Sequence, residues 1–579
     1  MRLAKKHQYF LLLTFFSFLA GCSTESIHVT ATPVEYGTEP VDLPTGTFTP
    51  IATLEPTVME IIDVEERETE TAIVEQFLNI WISSEVPSTL TGMIYVPATF
   101  RIVESMGDAD IIIEVADEEG LIDENQSNWV YAVVAPFPTI TDGISFEDVK
   151  KVWQGDEIEY FESKPILVSP ETYQVLKMVL GPPSEDGVEV VDEGDILNRA
   201  WEDMPSWAII PFEQLSPRWK VLRVDEVSPL DKEFVFSNYP LTIRFGLKID
   251  LKAYQDFVIT DTIGKILPKT NRDPEKLTVL IMTGTTALVR YTALRMEEVD
   301  ILYPARDIDD WLLDADITHI SNESPFYTKC PPAEPVRVEQ RFCSDPSYFD
   351  LLAYVGTDII ELTGNHILDW GEEALIYTID IYKRNELTYF GGGKDLEDAR
   401  KTQLMEHNGN KLAFMGCSPA GPEVVWATED QAGSNPCDFE WIESEIKRVV
   451  ELGYIPIMTF QHWEVEDYKP QSSQRVDFLH AAEIGAVIVS GSQSHFPQSM
   501  TFKSDHFIHY GLGNLFFDQI FGDNSLEFID RHIIYDGRYI STELLTAKLE
   551  DYARPRPLTI DERQDLLTDI FDNCNWTQE

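Results

Sequence analysis

Residues 359–371 read Ile359-Ile-Glu-Leu-Thr-Gly-Asn365-His366-Ile-Leu-Asp369-Trp-Gly371. The opening run is short, apolar and stopped by Gly364, which is the pattern of a buried strand. Behind it, 372–384 carries apolar residues at helical spacing. Strand, polar turn and helix recur on both sides of this segment. Strands are expected at 277–283, 317–321, 359–363, 411–415, 455–460, 486–490 and 507–510. Helices are expected at 372–384, 441–452 and 473–484. This is a βαβ rhythm with mainly parallel strands, hence an α/β fold.

Ligands of open α/β sheets meet the carboxyl ends of the strands. The residues just past each strand are therefore the candidates. They are Glu323, then Asn365 and His366 with Asp369, then His462, then His495. Carboxylate, amide and imidazole delivered from four strand ends to one rim form a donor set that divalent transition metals accept. Such metals bind phosphoryl oxygens and activate water.

Outward from this core the chain divides by composition. Residues 58–268 alternate short apolar runs with helical patterns and predict a smaller α/β domain. Residues 269–276 are polar and read as a linker to 277–550. An acidic tail follows at 551–579, with a helix expected at 560–571. Residues 22–57 are rich in Thr, Pro, Ser and Gly and read as an extended tether. Residues 1–21 read as a signal peptide: Arg2, Lys5 and Lys6 precede an apolar run at 9–20, too short to span a bilayer. That run ends in Leu19-Ala20-Gly21-Cys22, which looks like a bacterial lipobox, with Cys22 as the lipidated residue. The expected location is outside the cytoplasm, with the chain anchored to a membrane through that lipid.

The 579 residues carry 44 Lys and Arg against 100 Asp and Glu, a net charge of −56. A surface of that sign repels phosphate backbones, so no nucleic acid is expected as a partner. Export permits disulfides. The pairs local in sequence are Cys330 with Cys343 and Cys417 with Cys437, leaving Cys574 over, although spacing alone does not fix the connectivity.

The region 277–550 resembles the CapA family of poly-γ-glutamate capsule biosynthesis proteins, which look like metallophosphoesterases. The matching segments are Asp316-Ile317 leading to Glu323, and Thr363-Gly-Asn-His-Ile-Leu-Asp-Trp-Gly371. They continue with Phe390-Gly-Gly-Gly393, His462-Trp463 with Glu466, Gly491 to His495 with Gln498, and His509-Tyr-Gly-Leu-Gly-Asn514 with Phe517-Asp-Gln519. The resemblance implies a four-layer α/β/β/α sandwich with its site at the crest. It implies Glu323, Asn365, His462 and His495 as metal ligands for Mn, Fe or Zn, and His366, oriented by Asp369, as the acid or phosphate contact. Two positions depart from the family pattern. Thr285 stands where an Asp is usual, and Gln493 where a His is usual. A hydroxyl and an amide are weaker ligands than a carboxylate and an imidazole.

The region 58–268 resembles type II periplasmic substrate-binding proteins. Pro136-Phe137 through Gly143-Ile-Ser145 to Asp148, then Trp153-Gln-Gly155, carry the first crossover between lobes, and 206–224 the return. Two functions are then expected as alternatives. One is a membrane-anchored lipoprotein of capsule or anionic-polymer biosynthesis that acts as a metal-dependent phosphoesterase on the polymer or a phosphorylated precursor. The other is a non-catalytic envelope binding protein built on the same fold.

Overall fold

Three large sheets and two two-stranded ones carry the described residues. The computed structural model describes residues 77–116, 126–249, 264–335 and 340–576. The signal peptide, Cys22 and the tether lie outside the described residues. No described helix is long and apolar enough to cross a membrane.

The first sheet has nine strands: β1 Leu78–Ile82, β2 Phe100–Ile102, β3 Ile111–Val115, β4 Gln126–Pro136, β5 Ile166–Val168, β6 Val188–Val190, β7 Ala208–Pro211, β8 Trp219–Val221 and β9 Thr242–Ile249. Their order is β2-β1-β3-β9-β4-β7-β5-β6, with β8 also on β4. This order hides a duplication. Strands β2-β1-β3 are parallel and take β9 as an antiparallel neighbour. Strands β6-β5-β7 are likewise parallel and take β4 antiparallel. Each half thus runs second-first-third and borrows its fourth strand from the chain leaving or re-entering the other half. The first crossover is β4, eleven residues long and almost wholly buried. Ser145 then starts the helix Phe146–Trp153, its hydroxyl accepting from the Asp148 amide at 3.0 Å, as its place before an apolar stripe predicts. The return lies later than 206–224. Those residues form β7 and β8 of the second half, and the chain re-enters the first half through β9.

The second sheet holds β10 Leu277–Thr283, β11 Ile317–Asn322, β12 Ile359–Glu361 and β13 Thr388–Phe390, all parallel. The third holds β14 Gln403–His407, β15 Asn410–Cys417, β16 Ile455–Gln461, β17 Ile488–Ser492, β18 Met500–Lys503 and β19 His506–His509. Its order is β14-β15-β16-β17-β19-β18. Strands β20 Leu526–Tyr535, β21 Arg538–Glu550 and β22 Arg554–Pro557 then return to the second sheet, with β20 antiparallel to β10. A turn at Asp536-Gly537, with φ of 51° and 75°, joins β20 to β21. Positive φ at both central residues is what this two-residue hairpin requires.

The second and third sheets pack face to face. Leu280, Met282 and Ile317 meet Phe414, Ile457 and Phe507 in one core. The other face of the second sheet, through Ile281, Ile320 and Ile360, is covered by Leu375 and Ile379 of the helix Glu372–Arg384. The other face of the third, through Ala413, Met415 and Met458, is covered by Ile442 and Ile446 of Phe439–Glu451 and Phe478 of Ser472–Glu483. These are the four layers of an α/β/β/α sandwich, preceded by the nine-stranded α/β sheet.

Polar groups are also sealed between the sheets. His509 Nδ1 lies 2.7 Å from Asp530, His532 Nδ1 lies 2.7 Å from the Thr542 hydroxyl, and His319 lies 3.4 Å from Glu361.

Two segments differ from their sequence reading. Residues 269–276 are packed, not free. Asn271 and Arg272 are buried. The Asn271 amide exchanges bonds with the Val130 backbone at 2.8 and 3.0 Å, and Arg272 Nε donates to Pro229 O at 3.0 Å. One core runs from the first sheet into Leu277, Val279, Ile533 and Tyr535. The stretch beyond 551 is likewise structural: β22 extends the second sheet, and Leu566, Leu567 and Ile570 of the helix Ile560–Asp572 enter the inter-sheet core. Cys330 pairs with Cys343 and Cys417 with Cys437, while Cys574 is free.

Candidate functional site

The carboxyl ends of β10, β11, β12, β16 and β17 converge on one rim, shared by two sheets. Gly364 lets this happen at β12. A Cβ there would lie 2.7 Å from the Glu323 carbonyl oxygen and 2.8 Å from its Cα, so only glycine lets the two strand ends approach so closely. Across the rim, Gln493 N donates to Thr285 Oγ1 at 3.2 Å and ties the third sheet to the second.

Three amides occupy the centre. Gln461 Nε2 donates to Asn365 Oδ1 at 3.1 Å and, more closely, to Gln493 Oε1. Gln461 and Gln493 are buried. Asn365, Gln461, Gln493 and His462 line a cleft of about 660 Å3, walled by Trp426, Trp463 and the loop that carries Pro419 to Glu423.

The imidazoles are each held by a neighbour. His366 Nδ1 lies 2.7 Å from Asp369, which also accepts from Phe342 N at 2.6 Å. The Phe342 ring lies 4.2 Å from the imidazole. His366 Nε2 lies 4.0 Å from Glu323 Oε1. Burial works against the His366 imidazolium, but the bond to Asp369 and the charges of Glu323 and Asp369 outweigh it, so the His366 pKa is raised despite Arg290 nearby. His462 is almost fully buried; its Nε2 lies 3.1 Å from Asp477 of the helix Ser472–Glu483, and its Nδ1 has no partner. His495, with φ of 52°, sets Nδ1 2.8 Å from Asn514 Oδ1.

Hydrogen bonds and close approaches tie the expected site residues into three clusters on this rim. Glu323, His366 and Asp369 stand together. Asn365 stands with Gln461 and Gln493, in the same cleft as His462. His495 belongs with Asn514. Among the described residues, no three His, Cys, Asp or Glu are arranged to hold a metal ion. The donor chemistry agrees. Thr285 Oγ1 accepts from Gln493 N, and Asn365 Oδ1 and Gln493 Oε1 accept from Gln461. Two buried acceptors stay unpartnered, Glu323 Oε2 and His462 Nδ1. A pair of divalent cations does not fit this set.

Sequence reasoning passes over Gln461, Asp477 and Asn514. Gln461 directly follows Phe460, where the apolar run ends, and its role appears only when Asn365 and Gln493 are brought beside it. Arg290 reads in the sequence as a surface charge. It lies instead at φ 49° on Asp518, with Nε 3.0 Å from the carboxylate, and stacks between Phe342 and Phe517 at 5.1 and 4.8 Å.

Residues 256–519 match the family model described as bacterial capsule synthesis protein PGA_cap. This region belongs to the CapA family. A capsule biosynthesis protein CapA from Bacillus anthracis is 24% identical over 259 residues, which is 44% of this chain and 63% of that protein. The PGA biosynthesis protein CapA of Bacillus subtilis strain 168 is 26% identical over 166 residues, 28% of this chain and 43% of that one. The matches thus span less than two thirds of either CapA relative. Among solved structures, a 5'-nucleotidase precursor from Thermus thermophilus overlays with a TM-score of 0.28 and 11% identity, covering 50% of this chain and 58% of that one. So slight a likeness carries no argument about the CapA region's chemistry.

Proposed function

We propose that this chain serves in the synthesis of a capsule polymer, outside the cytoplasm, and that its CapA region binds a component or precursor of that polymer without hydrolysing it. Cys22 would hold it to the membrane by a lipid, and the duplicated first sheet would add a second binding body of the substrate-binding-protein kind. The observation that carries the binding reading is the amide triad. Where hydrolysis would call for charged or imidazole ligands, Gln461 bridges Asn365 and Gln493, and the Thr285 hydroxyl accepts from the Gln493 backbone N–H. Neutral amides and a hydroxyl suit hydrogen-bonded recognition more than they suit activation of water. The membership of residues 256–519 in the CapA family supports the biological setting.

The phosphoesterase reading keeps two supports, the unpartnered Glu323 Oε2 and His462 Nδ1. Turnover of bis-p-nitrophenyl phosphate by the full chain, with Mn2+ or Zn2+ added, separates the two. The expected rate equals that of His462→Ala. Metal-dependent release that vanishes in His462→Ala would replace binding by catalysis.

A further inference from the structure

The cleft that holds the amide triad adjoins a second cleft of about 520 Å3, lined by Arg290, Tyr291, Phe342, Gln519 and Phe521 among others; Glu464 belongs to both. Together they make an extended trough. Three features of its lining bear on what it would hold.

The first is aromatic surface. Trp463 is 49% exposed and Phe521 80%. Exposed aromatic faces beside a cleft offer flat apolar surface against which a ligand can pack. The second is hydrogen-bonding character. Once the triad's internal bonds are made, the NH2 groups of Asn365 and Gln493 and the carbonyl of Gln461 remain, so donors and an acceptor alternate along the wall. His462 lines the same cleft, with its Nδ1 buried and without a partner behind the wall. The third is charge. Glu423, Glu464, Glu466 and Asp518 line the two clefts, and Arg290, the one guanidinium among the described lining residues, is paired to Asp518. A polyanion gains no complementary charge here and meets like charge from the −56 chain as a whole. A polycation would match the carboxylates but would leave the amide donors without acceptors.

We propose that the trough binds an uncharged, hydroxyl-rich oligosaccharide. A pyranose ring lays its C–H face on Trp463, and its hydroxyls, each both donor and acceptor, pair with Asn365, Gln461 and Gln493. This deepens the binding reading above by naming the class of ligand, and it rests on that reading. Poly-γ-glutamate, one carboxylate per residue, is then not what this trough holds, whatever polymer the chain serves.

The test is titration of the full chain, by calorimetry and tryptophan fluorescence, with neutral tetrasaccharides (cello-, chito-, malto- and manno-), a poly-γ-glutamate oligomer and tetralysine. The expected result is binding of at least one neutral tetrasaccharide, in preference to both charged oligomers. Trp463→Ala should weaken it by about tenfold or more, ~1.4 kcal/mol. Asn365→Ala should do the same, with melting curves confirming that both variants are folded. Preferential binding of poly-γ-glutamate or tetralysine would overturn the glycan assignment and leave the binding reading standing. No binding of any neutral tetrasaccharide, or binding indifferent to Trp463→Ala, would also overturn it. Failure of the binding reading itself would show differently, as metal-dependent phosphoester turnover.

Discussion

Thr285→Asp with Gln493→His is expected to turn the rim into a metal site. Thr285 is buried and in contact with the Gln493 amide; Gln493 lines the cleft with His462. The double substitution removes the Gln461–Gln493 bond and adds one carboxylate and one imidazole. Position 493 sits at φ 76°, where histidine is tolerated better than most residues. Loss of an outer-shell partner already costs roughly 10–100-fold in metal affinity. Restoring two direct ligands should raise affinity by more than about 100-fold, on the same scale. Elemental analysis of the purified double variant should find Mn, Fe or Zn near one equivalent or above, removed by a further His462→Ala. A folded double variant that stays free of metal would show that rim geometry, and not the two missing donors, denies the site its ions.

Acid should loosen the sandwich from within, through His532. Its imidazole is fully buried on β20, with Nδ1 at Thr542. Burial depresses its pKa from 6.5 to about 4; Asp530 opposes the shift, while His509 and His319 add to it. The sign follows from proton counting. Between pH 6.5 and about 4 the unfolded chain binds a proton here that the folded chain refuses, so stability falls as pH falls through that window and the loss is complete below about 4. The full effect is about 3 kcal/mol, at roughly 1.4 kcal/mol per pH unit. His532→Asn keeps a polar group near Thr542 and cannot titrate. Denaturant midpoints measured from about pH 7 to 4 should fall more steeply for the wild type than for the variant, the difference growing below about pH 6.5. Parallel curves would mean that His532 is solvated or paired in the folded state.

In the second and third sheets β10, β11, β12, β15, β16, β17 and β19 were legible because each is an apolar run ended by a polar turn, whereas β13, β14 and β18 were not read. The run 277–283 and the helix 372–384 agree with β10 and Glu372–Arg384 residue for residue. The hairpin β20–β21 was missed, although Asp536-Gly537 between two apolar runs is a hairpin signal. Its strands mix His532, Arg531 and Asp530 into the apolar pattern, and those residues are sheltered by partners that the sequence does not place nearby. The same cause hid the packing of 269–276. Asn271 and Arg272 read as solvated, yet their bonds go to Val130 and Pro229, far back along the chain. At the candidate site, Glu323, Asn365, His366 and His462 lie just past their strands, as the strand pattern places them. What the sequence could not express was who bonds whom. Gln461, Asn365 and Gln493 come from three strands on two sheets, and their mutual bonds decide whether the rim presents ligands for a cation or amides for a hydroxyl.

Whether the CapA region works without a metal pair is decided by the metal content of the wild-type chain purified without chelator. Mn, Fe and Zn are expected far below one equivalent, with the same melting curve before and after EDTA. One or two equivalents of metal, lost together with thermal stability in His462→Ala, would contradict the binding reading at its root.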